Sequence, residues 1–311
     1  MEFHVSRGHI KNLPVILLVV LALVPVWAKA GDEAQAAFAS PDQAVDALIA
    51  ANRADNEKEL LKILGPQAKN LLMSGDPIAD ANDRKRFVAA YDAAHSLQRA
   101  DDGKIVLIVG LKKWPMPIPL VHRSDGWRFD TAAGEQEILD RRIGRNEADV
   151  IEVCRAYVEA QMEYAEEHVL PDGTHEYAQQ FLSRPGKHDG LYWPVGPGQP
   201  ESPLGPLIAS ARADGYAGGG HKHQPYHGYF YRILTSQSAK ASGGAVNYIA
   251  NGHMIKGFAL LAFPAKYGDS GIMTFMVNQD GIVQEKDLGP NTAKLAMQIK
   301  AYSPDASWKL P

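Results

Sequence analysis

The chain has 311 residues, 45% hydrophobic and 22% charged, with a formal net charge of −4. That is the balance of an ordinary globular protein of about two domains, and it gives no reason to expect nucleic acid or an acidic membrane surface as a partner. Its single cysteine, Cys154, excludes an intramolecular disulfide.

Residues 1–30 read as a cleavable export signal. Arg7 and Lys11 make a basic start, and Leu13 to Val26 is an apolar run too short for a comfortable membrane span. Ala28-Lys29-Ala30 offers small residues at the two positions a signal peptidase reads. The expected location is the periplasm, with the mature chain starting near Gly31 and carrying no later membrane span.

Residues 31–134 read as a small α+β domain. Ser40 caps a first helix with Pro41 in its first turn and Ala44, Val45, Leu48 and Ile49 on it. A second helix carries Leu60, Leu61 and Leu64 and stops at Gly65-Pro66. A third is expected from about Ala81 to Leu97. Gly103 to Val109 is an apolar strand, followed by the extended, proline-spaced Trp114-Pro-Met-Pro-Ile-Pro. Leu120 to His122, the turn Ser124-Asp125-Gly126, and Trp127 to Asp130 form a hairpin. Helices followed by a curved hairpin sheet faintly resemble the cone-shaped folds related to nuclear transport factor 2.

Residues 135–311 read as a second α+β domain. Glu135 to Glu167 is one long helix, with a break expected near Gly144 and a stripe of Ile151, Cys154, Val158, Gln161 and Ala165. Cys154 on that stripe reads as a buried structural thiol. Leu170 to Gln224 is rich in Gly and Pro, with aromatics and few charges in GLYWPVGPGQPESPLGPL, and reads as a loop covering the domain. An antiparallel meander follows: Gly228 to Thr235, Asn247 to Ala250, the turn Asn251-Gly252, Met254 to Phe263, Gly271 to Asn278, the turn Gln279-Asp280-Gly281, and Ile282 to Asp287. Both faces of Phe258 to Phe263 are apolar, so this strand should be central. The last strand reads as a solvated edge. The long helix should pack on this sheet, and Asn291 to Ile299 is a short closing helix.

The motifs DRRIGRNE, GLYWP, SPLGPLIASA, PYHGYFYRILT and GFALLAFPAKYGDSGIMTFMVNQDGIVQEKDLG, which follow one another in this order along the chain, resemble the bacterial domain-of-unknown-function family 2950. The resemblance runs from about Trp127 to the C-terminus and implies an exported bacterial protein without an assigned activity. The C-terminal half is more weakly similar to the globular domains of pilins and pseudopilins. It departs from them because its hydrophobic N-terminal segment is not joined to the long helix.

Two groups carry candidate chemistry. His221, His223 and His227 in GGGHKHQPYHGY could ligate zinc. Their spacing matches no established ligand motif, so exposed loop histidines are the simpler reading and no cofactor is expected. Arg141, Arg142 and Arg145 form a cationic cluster suited to an anion. Glu137, Asp140, Glu147 and Asp149 lie within a turn or two of it, and ion pairs joining the two halves are the simpler use. Nucleophile-elbow, P-loop, dinucleotide and H-E-x-x-H motifs are absent from the sequence. The reading is an exported envelope protein that acts by binding another envelope protein or a small ligand. The alternative is a metal-assisted hydrolase built on His221, His223 and His227.

Overall fold

Ser40 and Pro41 start the first helix as their chemistry dictates. The computed structural model describes residues 35–216 and 224–311. The export signal over residues 1–30 lies outside the described residues. Helix α1 (Pro41–Arg53) opens with the Ser40 hydroxyl accepting from the Gln43 N–H at 3.2 Å. Helix α2 (Glu57–Leu64) is capped by Asn56 and ends at Gly65, whose φ of +88° no helix continues. A 3-10 turn and the single turn of α3 (Lys69–Leu72) follow.

Helix α4 (Pro77–Ala93) starts four residues before the expected position, because Asp76 caps it and Pro77 supplies its first turn. It also stops earlier. Residues expected to end it form β1 (His95–Arg99), paired antiparallel along its whole length with β2 (Ile105–Val109). His-Ser-Leu-Gln-Arg has no strand pattern of its own; the apolar β2 beside it recruits the segment. Strands β3 (Trp114–Pro115), β4 (Leu120–Arg123) and β5 (Gly126–Phe129) complete an antiparallel sheet, with β2 contacting β1, β3 and β4.

Helix α5 (Thr131–Glu167) is one 37-residue helix, continuous through Gly144, where a break was expected. A Cβ at Gly144 would meet nothing within 4 Å and no proline is nearby, so two usual causes of a kink are absent there. It begins at Thr131, whose hydroxyl donates to the Leu64 carbonyl at 2.6 Å. Three residues on, Gly134 lets it approach the proline-spaced segment: a Cβ there would sit 2.3 Å from the Pro117 carbonyl oxygen. The first turns of α5 thus close one hydrophobic cluster, made by α1 to α3 and the first sheet and including Leu139. Its later turns enter a second cluster through Val150, Cys154, Tyr157 and Tyr164. The buried stripe follows those residues and Gln161. Ile151 and Val158, expected on it, lie beside it and are partly buried.

The Gly/Pro-rich segment carries helix α6 (Gly205–Ala213) and packs on α5. Gln161 makes both amide bonds to Ala178, donating to its carbonyl and accepting from its N–H, each at 2.8 Å. Strands β6 (Tyr229–Leu234), β7 (Ser236–Gln237), β8 (Val246–Asn247), β9 (Ile249–Ala250) and β10 (His253–Met254) follow, with Asn251 and Gly252 supplying the left-handed turn between the last two. Strands β11 (Ala259–Pro264), β12 (Met273–Asn278) and β13 (Gln284–Asp287) join β6 in the antiparallel order β13-β12-β11-β6. Every residue of β11 is buried, as its two apolar faces require.

One face of this sheet lies against α5. The second face was expected under the Gly/Pro-rich loop. Helix α7 (Thr292–Gln298) covers it instead, with Arg232 of β6 donating to the Ala296 carbonyl at 2.7 Å. Strand β13 was expected to be a solvated edge. The C-terminal tail bridges it: Glu285 and Lys309 exchange both backbone hydrogen bonds, at 2.8 and 2.9 Å. The fold is α+β, with antiparallel sheets and one long helix. No helix among the described residues is long and apolar enough to cross a membrane.

Candidate functional site

The hydrophobic cluster around the first sheet encloses a cavity of about 750 Å³. Its walls are aliphatic. Leu48 of α1, Leu60 and Leu64 of α2, Leu71 and Leu72 of α3, and Val109 of β2 face it. The proline-spaced segment adds Met116 and Ile118, because alternate prolines hold it extended and the Met116 N–H bonds to the Leu107 carbonyl at 2.8 Å. Helix α4 adds Phe87, Ala90 and Ala93, and α5 adds Ile138.

The cavity's polar side comes from α4 and α5. Arg84 and Arg142 are both 8% exposed, and their guanidinium groups serve the backbone. Arg142 donates to the carbonyls of Asn70, at 3.1 Å, and Leu71; Arg84 donates to that of Leu72, at 3.5 Å, and to Asp55. Three carbonyls at the C-terminus of α3 thus receive cationic donors, which that end of a helix favours. Asp80 accepts the Ser74 N–H at 3.0 Å. Burial raises its carboxyl above the ordinary value, against the hydrogen bonds from Ser74 and the charges of Arg142 and Arg84. Burial likewise lowers the Arg142 guanidinium from its usual value, opposed by Asp80 and Asp83.

The mouth is different. Leu111, in the turn between β2 and β3, is 82% exposed and lines the opening with Lys112. Arg86, Arg141 and Arg145 are about half exposed there. Arg86 and Arg145 share one carboxylate, Asp83, with Arg145 at 2.9 Å. Arg141 pairs with Glu137 and stands over the Trp114 ring, 5.3 Å from its centroid. Lys112 has no ion pair among the described residues. Four cations therefore face two carboxylates.

The three arginines singled out by sequence all line this one cavity, in two different roles: Arg142 holds α3, while Arg141 and Arg145 stand at the mouth. Asp80, Asp83, Arg84 and Arg86 went unnoticed because α4 carries no apolar stripe. The spacing of Asp80, Arg84 and Phe87 along one face was the signal available.

Of the three histidines, His221 and His223 lie outside the described residues. His227 is described. Its φ is +50°, and its Nδ1 is 3.3 Å from Asp149 of α5. No group of His, Cys, Asp and Glu side chains suited to a metal ion occurs among the described residues. Cys154 is fully buried, and burial alone pushes its thiol up to about 12.

The family model described as a protein of unknown function (DUF2950) matches residues 35–310. The chain belongs to this family. Neither a curated protein nor a solved structure matches it. The likenesses to pilins and to nuclear transport factor 2 cones therefore rest on sequence alone. The DUF2950 match reaches upstream of Trp127, where the sequence motifs began, and takes in the whole cavity. The halves of this DUF2950 chain are also tied by buried polar contacts. Asp76 accepts from the Tyr216 hydroxyl at 2.8 Å and the Gly228 N–H at 3.0 Å.

Proposed function

We propose that this protein is an exported envelope binding module whose N-terminal cavity takes a small molecule with an apolar body. The cavity carries the proposal. Packed interiors leave few voids larger than a water molecule. An aliphatic opening of about 750 Å³ has the size and lining of a small-ligand site, which typically spans about 300–1,000 Å³. The export part is supported by the basic start, the apolar run and the Ala-Lys-Ala site.

The test is a titration of purified protein with the neutral fluorescent probe N-phenyl-1-naphthylamine. Saturable one-to-one binding is expected. Ala90→Trp, which directs an indole from α4 into the cavity, should abolish binding while circular dichroism and melting stay unchanged. Absence of saturable binding, or equal binding by the folded variant, overturns the proposal. For export, mass spectrometry of protein from the native host should find residues 1–30 removed, and an intact segment would contradict that part.

A further inference from the structure

Resting on the cavity reading just given, we infer that the mouth selects an anionic head group, so that the ligand is an alkyl-chain anion and not a neutral or cationic amphiphile. The body follows from the walls. Leu, Ile, Val and Met dominate them, with Phe87 and Trp114 the aromatic members, and such walls suit a flexible aliphatic chain.

The head follows from how the cations are engaged. Arg84 and Arg142 are committed to the carbonyls at the end of α3 and have little capacity for a ligand. At the mouth the commitment is incomplete. Asp83 serves both Arg86 and Arg145, Glu137 serves Arg141, and Lys112 has no acidic partner among the described residues. Two positive charges are left over at the rim of an aliphatic cavity. The Trp114 ring holds the Arg141 guanidinium over that rim without using its edge donors; Nη2 goes to Glu137, and Nε and Nη1 remain for a carboxylate or phosphate.

The inference makes a demand that hydrophobicity alone opposes. A charged head makes a chain more soluble in water, so a purely apolar cavity would bind an alcohol more tightly than the carboxylate of equal length. A charged mouth reverses that order.

Three probes of one chain length decide it: dodecanoate, dodecanol and dodecyltrimethylammonium, each used to displace N-phenyl-1-naphthylamine. Dodecanoate should displace the reporter at about tenfold lower concentration than dodecanol, as charge-assisted hydrogen bonds at the mouth imply. The cation should be the weakest. In Lys112→Gln/Arg141→Gln/Arg145→Gln the order of dodecanoate and dodecanol should invert, with affinity for the neutral reporter unchanged. On wild-type protein, 0.5 M salt should shrink the preference several-fold through screening of these exposed charges. This arm does not depend on the variant folding. If dodecanol equals or outcompetes dodecanoate on wild-type protein, the inference is wrong and the cavity reading stands. If the reporter itself does not bind, both fall.

Discussion

Arg142→Met tests the division of the arginines most directly. Methionine keeps most of the stem's volume and removes the guanidinium. The buried Leu71 carbonyl and the part-buried Asn70 carbonyl then lose their donor. An unsatisfied buried polar group costs about 1–3 kcal/mol, which applies to the Leu71 carbonyl, while the Asn70 carbonyl can turn to water and adds less. Part of this is offset, because a buried cation no longer has to be desolvated. The expected loss is about 2 kcal/mol, against a total stability of about 5–15 kcal/mol for a folded domain. Urea denaturation followed by circular dichroism reads it as a lower midpoint at unchanged slope. Arg141→Gln is the comparison. Its side chain and its partner Glu137 are each about half exposed, so it should cost less than about 1 kcal/mol. If Arg142→Met stays within about 0.5 kcal/mol of wild type, or Arg141→Gln costs more, the assignment of Arg142 to structure and Arg141 to the mouth is wrong.

Phe258→Ala, just before β11, should cost about 3–5 kcal/mol by denaturant melt, since the ring is fully buried against Tyr157 and Tyr177, whereas Lys286→Gln on β13 should stay near 0.5 kcal/mol; the reverse ranking would break the argument for a core between α5 and the segment leading into β11. Cys154, with its thiol raised to about 12, should label slowly with a maleimide at pH 8 and rapidly once denatured, and fast labelling of folded protein would contradict its burial. Asp80 has a folded value raised above the unfolded value of about 3.9, so its contribution to stability is present below that value and lost as pH rises through the folded one. Asp80→Asn lacks this loss, and its stability relative to wild type should improve from pH 4 to pH 7 in urea melts. A relative decline over that range would refute the stated cause.

Local chemistry decided much of the fold. Ser40-Pro41 and Gly65-Pro66 bound helices α1 and α2, Asn251-Gly252 forces a left-handed turn, and the doubly apolar Ala259 to Phe263 can sit only inside a sheet. Each is a matter of a residue's own dihedral limits or of a short period, and these act over a few neighbours. The features that needed tertiary structure come from partners far along the chain. Strand β1 exists because β2 lies beside it, and the edge of β13 is closed by Lys309, 24 residues later. Helix α5 continues through Gly144, where two usual causes of a kink are absent.

The site divides the same way. The sequence placed Arg141, Arg142 and Arg145 within two turns of one helix, and their charge was legible. Which of them faces carbonyls and which faces the mouth depends on where α3, α4 and Trp114 come to rest against α5. The cavity was not legible at all. Leu48, Leu64, Val109 and Ile118 read as ordinary core residues, and only the packing of seven separate segments shows that their side chains surround a space instead of filling it. A hydrophobic pattern records that a side chain leaves water. It does not record what the side chain meets.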